Sequence, residues 1–122
     1  MNNSLLIADY IYSALSTLTT NVFPVVAEQG TNGAYIVYRR VGLNDNTTKD
    51  GWSDDVITYE ITAYSPTYKE GLNLINNVRN SLTTDKTAQS YKITDFAVIG
   101  STEDYASDYY IQTITYQITV TK

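Results

Sequence analysis

The chain contains no cysteine and no histidine, and it has one tryptophan, one methionine and two prolines. Lack of cysteine removes disulfides, thiolate nucleophiles and soft metal sites together, and is compatible with a reducing compartment. Lack of histidine removes the side chain best suited to proton transfer near neutral pH and the commonest nitrogen ligand of zinc or iron. Triad hydrolysis is ruled out on the same ground. No apolar run approaches the roughly 18 residues a membrane-spanning helix needs. The N-terminus also lacks the charged, apolar and small-residue succession of a secretion signal, so neither membrane insertion nor that export route is expected. Positive charge is scarce, with 8 Lys and Arg against 13 Asp and Glu and a formal charge of −5. Only Arg39 and Arg40 adjoin one another. A groove that grips phosphates needs clustered cations, so direct nucleic-acid binding is not expected.

What remains is a folding composition. The 122 residues are 43% hydrophobic and 17% charged, enough for one packed core and far from the charge-rich signature of disorder. Residues 1–122 therefore read as a single domain, without repeats or low-complexity segments.

Apolar residues from Leu5 to Leu18 recur at helical spacing, with Asn3 or Ser4 as an N-cap, which predicts a first helix over 4–19. Pro24 inside the apolar run Val22–Ala27 predicts a short edge strand. Gln29 to Gly33 is turn chemistry, and Tyr35-Ile36-Val37-Tyr38 predicts a strand over 34–42. The polar stretch 43–55 is too long for a tight turn and reads as a loop. Strict alternation over Val56–Tyr64 marks the clearest strand. Ser65 as cap and Pro66 at the first helical position open a second helix, with Gly71, Leu74, Ile75, Val78 and Leu82 at helical spacing. Residues 91–99 form a strand whose alternation slips near Asp95, as a bulge causes. In the last strand Tyr110, Ile114, Tyr116, Ile118 and Val120 share one face, and threonines with Gln117 share the other. The order α-β-β-β-α-β-β predicts an α+β fold: an antiparallel sheet of four to five strands with two amphipathic helices on one face.

The residues capable of chemistry are few. Asp54-Asp55 and Glu103-Asp104 are adjacent carboxylates that could hold a hard cation or act as acid and base, but neither pair has a metal-loop spacing, and solvated acids flanking strands is the plainer reading. Gly30 and Gly33 precede a strand and do not open a helix after one, so they are turn glycines and not a phosphate cradle. No catalytic residue, cofactor or metal is assigned. The twelve tyrosines carry most of the aromatic packing, with Tyr59 and Tyr116 on apolar strand faces. Tyr also suits interfaces, and Tyr105, Tyr109 and Tyr110, around an acidic small-residue turn, are interface candidates. Trp52, flanked by Lys49, Asp50, Asp54 and Asp55, either folds back on the core or anchors a partner, and the sequence leaves both open.

The ordered succession of first helix, Tyr35-Ile36-Val37-Tyr38 strand, variable loop, Ile57–Ser65 strand and immediately following helix resembles the tail-completion, or tail-terminator, proteins of long-tailed bacteriophages and prophages. The resemblance covers most of the chain. It implies a non-enzymatic protein of the virion tail, assembled in the bacterial cytoplasm as a ring, a hexamer, that caps the tail tube and joins it to the head connector. Partners would be further copies, the tail-tube protein and the connector protein, with DNA passing through the ring without specific binding. A Thr-rich strand face and an edge strand would serve as contact surfaces. The rival from another class is a regulatory domain binding a peptide or small ligand on a Tyr-rich sheet face. An enzyme, as a third, would bring Asp54, Asp55, Glu103 and Asp104 into one cleft.

Overall fold

A computed structural model describes residues 4–28, 30, 32–47, 53–82 and 92–121. After a 3-10 turn over Ser4–Leu6 come α1 (Ile7–Ser16), β1 (Val22–Pro24), β2 (Tyr35–Thr47), β3 (Ser53–Ser65), α2 (Tyr68–Ser81), β4 (Ile93–Ala106) and β5 (Tyr109–Thr121). The strands form one sheet in the order β1-β2-β3-β5-β4. This is the expected α+β arrangement, with one difference: β1 pairs parallel with β2, so the sheet is mixed, and all other pairings are antiparallel.

Both helices lie on one face. Alternation along the sheet directs Ile36 and Tyr38 of β2, Ile57, Tyr59, Ile61 and Ala63 of β3, and Ile114, Tyr116, Ile118 and Val120 of β5 to that side. There they meet Ile7, Tyr10, Ile11 and Leu15 of α1 and Leu74, Ile75 and Val78 of α2 in a single core. The burial of these side chains supplies the main favourable term for folding.

Element boundaries moved where local signals were overridden. The helix proper begins at Ile7 rather than residue 4, with Leu6 in the cap position and no side-chain cap bond. It ends at Ser16, where Ser16 and Thr17 hydroxyls donate back to the Ser13 and Ala14 carbonyls, a local competitor of helix continuation. The cap of α2 is Thr67, not Ser65: Thr67 Oγ1 accepts from the Glu70 N–H at 3.3 Å. Ser65, fully buried, instead accepts from the Thr67 N–H at 3.2 Å and fixes the chain's exit from β3.

The largest correction is to the stretch 43–55. Leu43 through Thr47 pair with Ile57 back to Ser53, so most of it is hairpin. Ladder hydrogen bonds outweigh the poor strand propensity of Asn and Asp. The second hairpin is also long, since β4 continues to Ala106 and not to residue 99. The slip near Asp95 is real, lying between Ile93 and Asp95, and a second follows between Val98 and Gly100. Ser107 and Asp108 join β4 to β5 with φ of 54° and 68°, the positive pair characteristic of a type I′ turn. Gly30 and Gly33 also have positive φ, as turn glycines do.

Candidate protein interface

Lys49, Asp50 and Trp52 lie outside the described residues. The others separate into three places. Asp54 and Asp55 are not loop acids. They belong to β3, opposite Thr121 and Val120, and Asp55 is only 3% exposed, which withdraws it from the surface. Tyr109 and Tyr110, being adjacent on a strand, point to opposite faces. Tyr110 joins Tyr105 on the helix side, and Tyr109 joins the open side.

The helix-side group is the better defined of the two. Tyr110 is half-buried at its centre, with the exposed Tyr105 ring at 4.8 Å and the Tyr68 ring at 5.7 Å, edge to face. Beside them Glu103 Oε2 accepts from the Tyr68 hydroxyl and from Gln112 Nε2, each at 3.0 Å. Gln112 is 5% exposed, so a buried amide anchors a surface carboxylate. The hydrogen bond to Glu103 is also the leading reason that the Tyr68 hydroxyl is pushed above its ordinary pKa. Asp104 Oδ1 accepts from the Tyr105 N–H at 2.7 Å. The result is an open depression of about 300 Å³ lined by three tyrosines and two acids. Sequence reading missed Tyr68 and Gln112. The signal for Gln112 was its place on the apolar side of β5, between Tyr110 and Ile114.

On the open face, Phe23, Tyr35, Tyr64 and Tyr109 from four strands form a second aromatic group, with Tyr35 stacked on Tyr64 at 4.6 Å and edge-on to Tyr109 at 5.6 Å. Burial, then the neighbouring Tyr64 and Tyr109, raises the Tyr35 pKa. Threonines continue this face, and Thr62 and Thr113 hydroxyls lie 3.3 Å apart across β3 and β5.

The four acids do not converge. Asp55 lies opposite Val120 and Glu103 opposite Gln112, eight positions apart along β5, or roughly 27 Å. Among the described residues no group of three or more acids could hold a metal ion. No described helix is long and apolar enough to cross a membrane.

Both sheet edges are uncovered over long stretches. On its outer side β4 has no neighbouring strand among the described residues, and β1 covers β2 only along Ile36–Tyr38. Val98, Ile99 and Tyr105 on β4, and Val41 and Leu43 on β2, are exposed. Long apolar edges are templates for pairing with another chain.

No protein-family model matches this chain, and neither does any curated protein. Among solved structures, a chain of the virion of the native gene transfer agent particle is similar to it. The TM-score is 0.73 at 12% sequence identity, with 92% of this chain and 92% of that chain covered. At that identity the likeness is one of fold, and it spans almost the whole of both chains.

Proposed function

We propose that the chain is a structural protein of a phage or phage-like particle, a tail-completion protein that caps the tail tube and joins it to the head connector as a ring of its own copies. One observation carries the reading: the fold is shared nearly end to end with a chain of a virion. The two uncovered, partly apolar edges support it, because a head-to-tail ring consumes one edge of each kind per contact. Tyr105, Tyr109 and Tyr110, Asp54, and the β2–β3 connection with Lys49, Asp50 and Trp52 are the contact residues of this reading. It requires no catalytic step, cofactor or metal. Its place is the virion tail, reached by assembly in the host cytoplasm, with the tail-tube and connector proteins as partners. The acidic balance suits a ring through which DNA passes without sticking.

Inactivating the gene in a particle-producing strain tests this. The expected result is separate filled heads and tails in electron micrographs, restored by supplying the chain in trans. Intact, joined particles without it would refute the proposal. The rival reading, a peptide or small-ligand binder, draws on the open-face group of Phe23, Tyr35, Tyr64 and Tyr109. Against it, the larger depressions, around Leu18 and Leu74 and around Tyr12 and Phe23, are open to solvent, whereas ligand sites bury most of their guest.

A further inference from the structure

We propose that the depression between Tyr68, Glu103, Tyr105 and Tyr110 is a guanidinium socket, and that it takes Arg40 of an adjacent copy of the chain. The inference rests on the self-assembly reading above and names the contact that reading leaves open.

The socket is built for a cation. Ring faces carry negative potential, and a guanidinium held over one is attracted to it, the more so beside a carboxylate. Here three rings stand 4.8 and 5.7 Å apart around Tyr110. Glu103 is held in place through one oxygen by Tyr68 and the buried Gln112, which leaves its second oxygen for a guest. Among the described residues, Glu103 has no ion-pair partner, whereas Arg39 pairs with Glu60 at 3.5 Å.

The guest follows from the topology. The socket lies at the β4 edge, and the opposite edge, β2, carries the exposed Arg39 and Arg40. Arg39 already pairs with Glu60, and Arg40 has no ion pair among the described residues. Three antiparallel pairings separate β2 from β4, so the two run in opposite directions. A second copy added edge to edge in the same orientation therefore presents β2 antiparallel to β4, the more stable pairing. The faces also agree. Arg40 is in register with Tyr59, and Glu103 with Gln112, both on the helix side, so head-to-tail addition leaves the two side chains on one face. Tyr59 lies opposite Tyr116 and Tyr105 opposite Tyr110, six positions apart along β5, so a stagger of about 20 Å sets Arg40 against Tyr105, one diagonal step from Glu103, with β4 ending where β1 begins to cover β2 at Tyr38.

The test is a charge exchange read by sedimentation velocity on the full chain. Arg40→Glu and Glu103→Arg should each weaken self-association about tenfold or more, and the double exchange should recover most of it. Both residues are exposed, and unchanged circular dichroism would verify that the variants fold. Single exchanges that leave association intact, or a double exchange that recovers nothing, would overturn the socket while self-assembly stands. If the wild-type chain never associates, self-assembly fails, and the socket is then judged by titration with N-acetyl-arginine methylamide. Shifts at the Tyr68, Tyr105 and Tyr110 ring signals that vanish in Glu103→Gln would support a guanidinium site. Their absence in the wild type would reject it.

Discussion

Gly71 of α2 lies so close to Ser65 at the end of β3 that a Cβ built on it would sit 3.3 Å from the Ser65 Cβ, with Gln112 Cγ at 3.8 Å. This near contact seats the first turn of α2 against the sheet, beside the amide that holds Glu103. Gly71→Val would press two methyls into that space. It should destabilise the chain by about 1–3 kcal/mol, through overpacking and lost χ1 freedom. Urea denaturation would measure it, and an unchanged midpoint would show that α2 can shift without cost.

Tyr116 is 1% exposed, and its hydroxyl has no hydrogen-bond partner among the described residues. Burial pushes its pKa up to about 12, against a smaller opposing pull from Arg79. Tyr116→Phe removes an unsatisfied buried polar atom and should raise stability by about 1 kcal/mol at neutral pH. The pH dependence has a definite sign. A tyrosine raised in the folded state contributes stability that is complete below its unfolded value of 10 and is lost as pH rises toward 12. The wild type should therefore lose stability over that window more steeply than Tyr116→Phe. Parallel profiles would mean that the folded chain does not hold the Tyr116 hydroxyl above its ordinary pKa.

The β4–β5 turn uses Ser107 and Asp108 at positive φ, where both residues carry a strain that Asn-Gly relieves. Replacing the pair by Asn-Gly should stabilise the hairpin by roughly 0.5–1 kcal/mol, read as a higher thermal midpoint. A lower midpoint would indicate another turn geometry.

Ile99, at a bulge on the outer strand, is 54% exposed. Ile99→Lys places a charge where edge-strand proteins place theirs to prevent pairing. The monomer's stability should stay within about 0.5 kcal/mol, as for most surface substitutions, while self-association falls. Association unaffected by the lysine would remove β4 from the contact.

Much of this fold was legible because one face of each central strand is buried. The alternation over Val56–Tyr64 and Tyr110–Val120 follows directly from that, and Gly71, Leu74, Ile75 and Val78 mark the helix that covers it. Where burial ends, the signal ends. Gly100–Ala106 is exposed throughout, so no alternation records that it is a strand. Asn44-Asp45-Asn46 pair with Val56 back to Asp54 although their propensities favour turns. The parallel direction of β1 is set by pairing partners, which a three-residue strand does not encode. At the candidate interface, Tyr105 and Tyr110 were visible as neighbours across a turn. Tyr68 and Gln112 come from other elements and meet Glu103 only in the folded chain.

The most direct test is the mass of the purified chain under native conditions. Self-assembly through the two sheet edges predicts a discrete closed oligomer, a fixed multiple of 13.7 kDa, resolved by native mass spectrometry and lost in Ile99→Lys. A wild-type species of 13.7 kDa at every concentration, unchanged by that substitution, would contradict it.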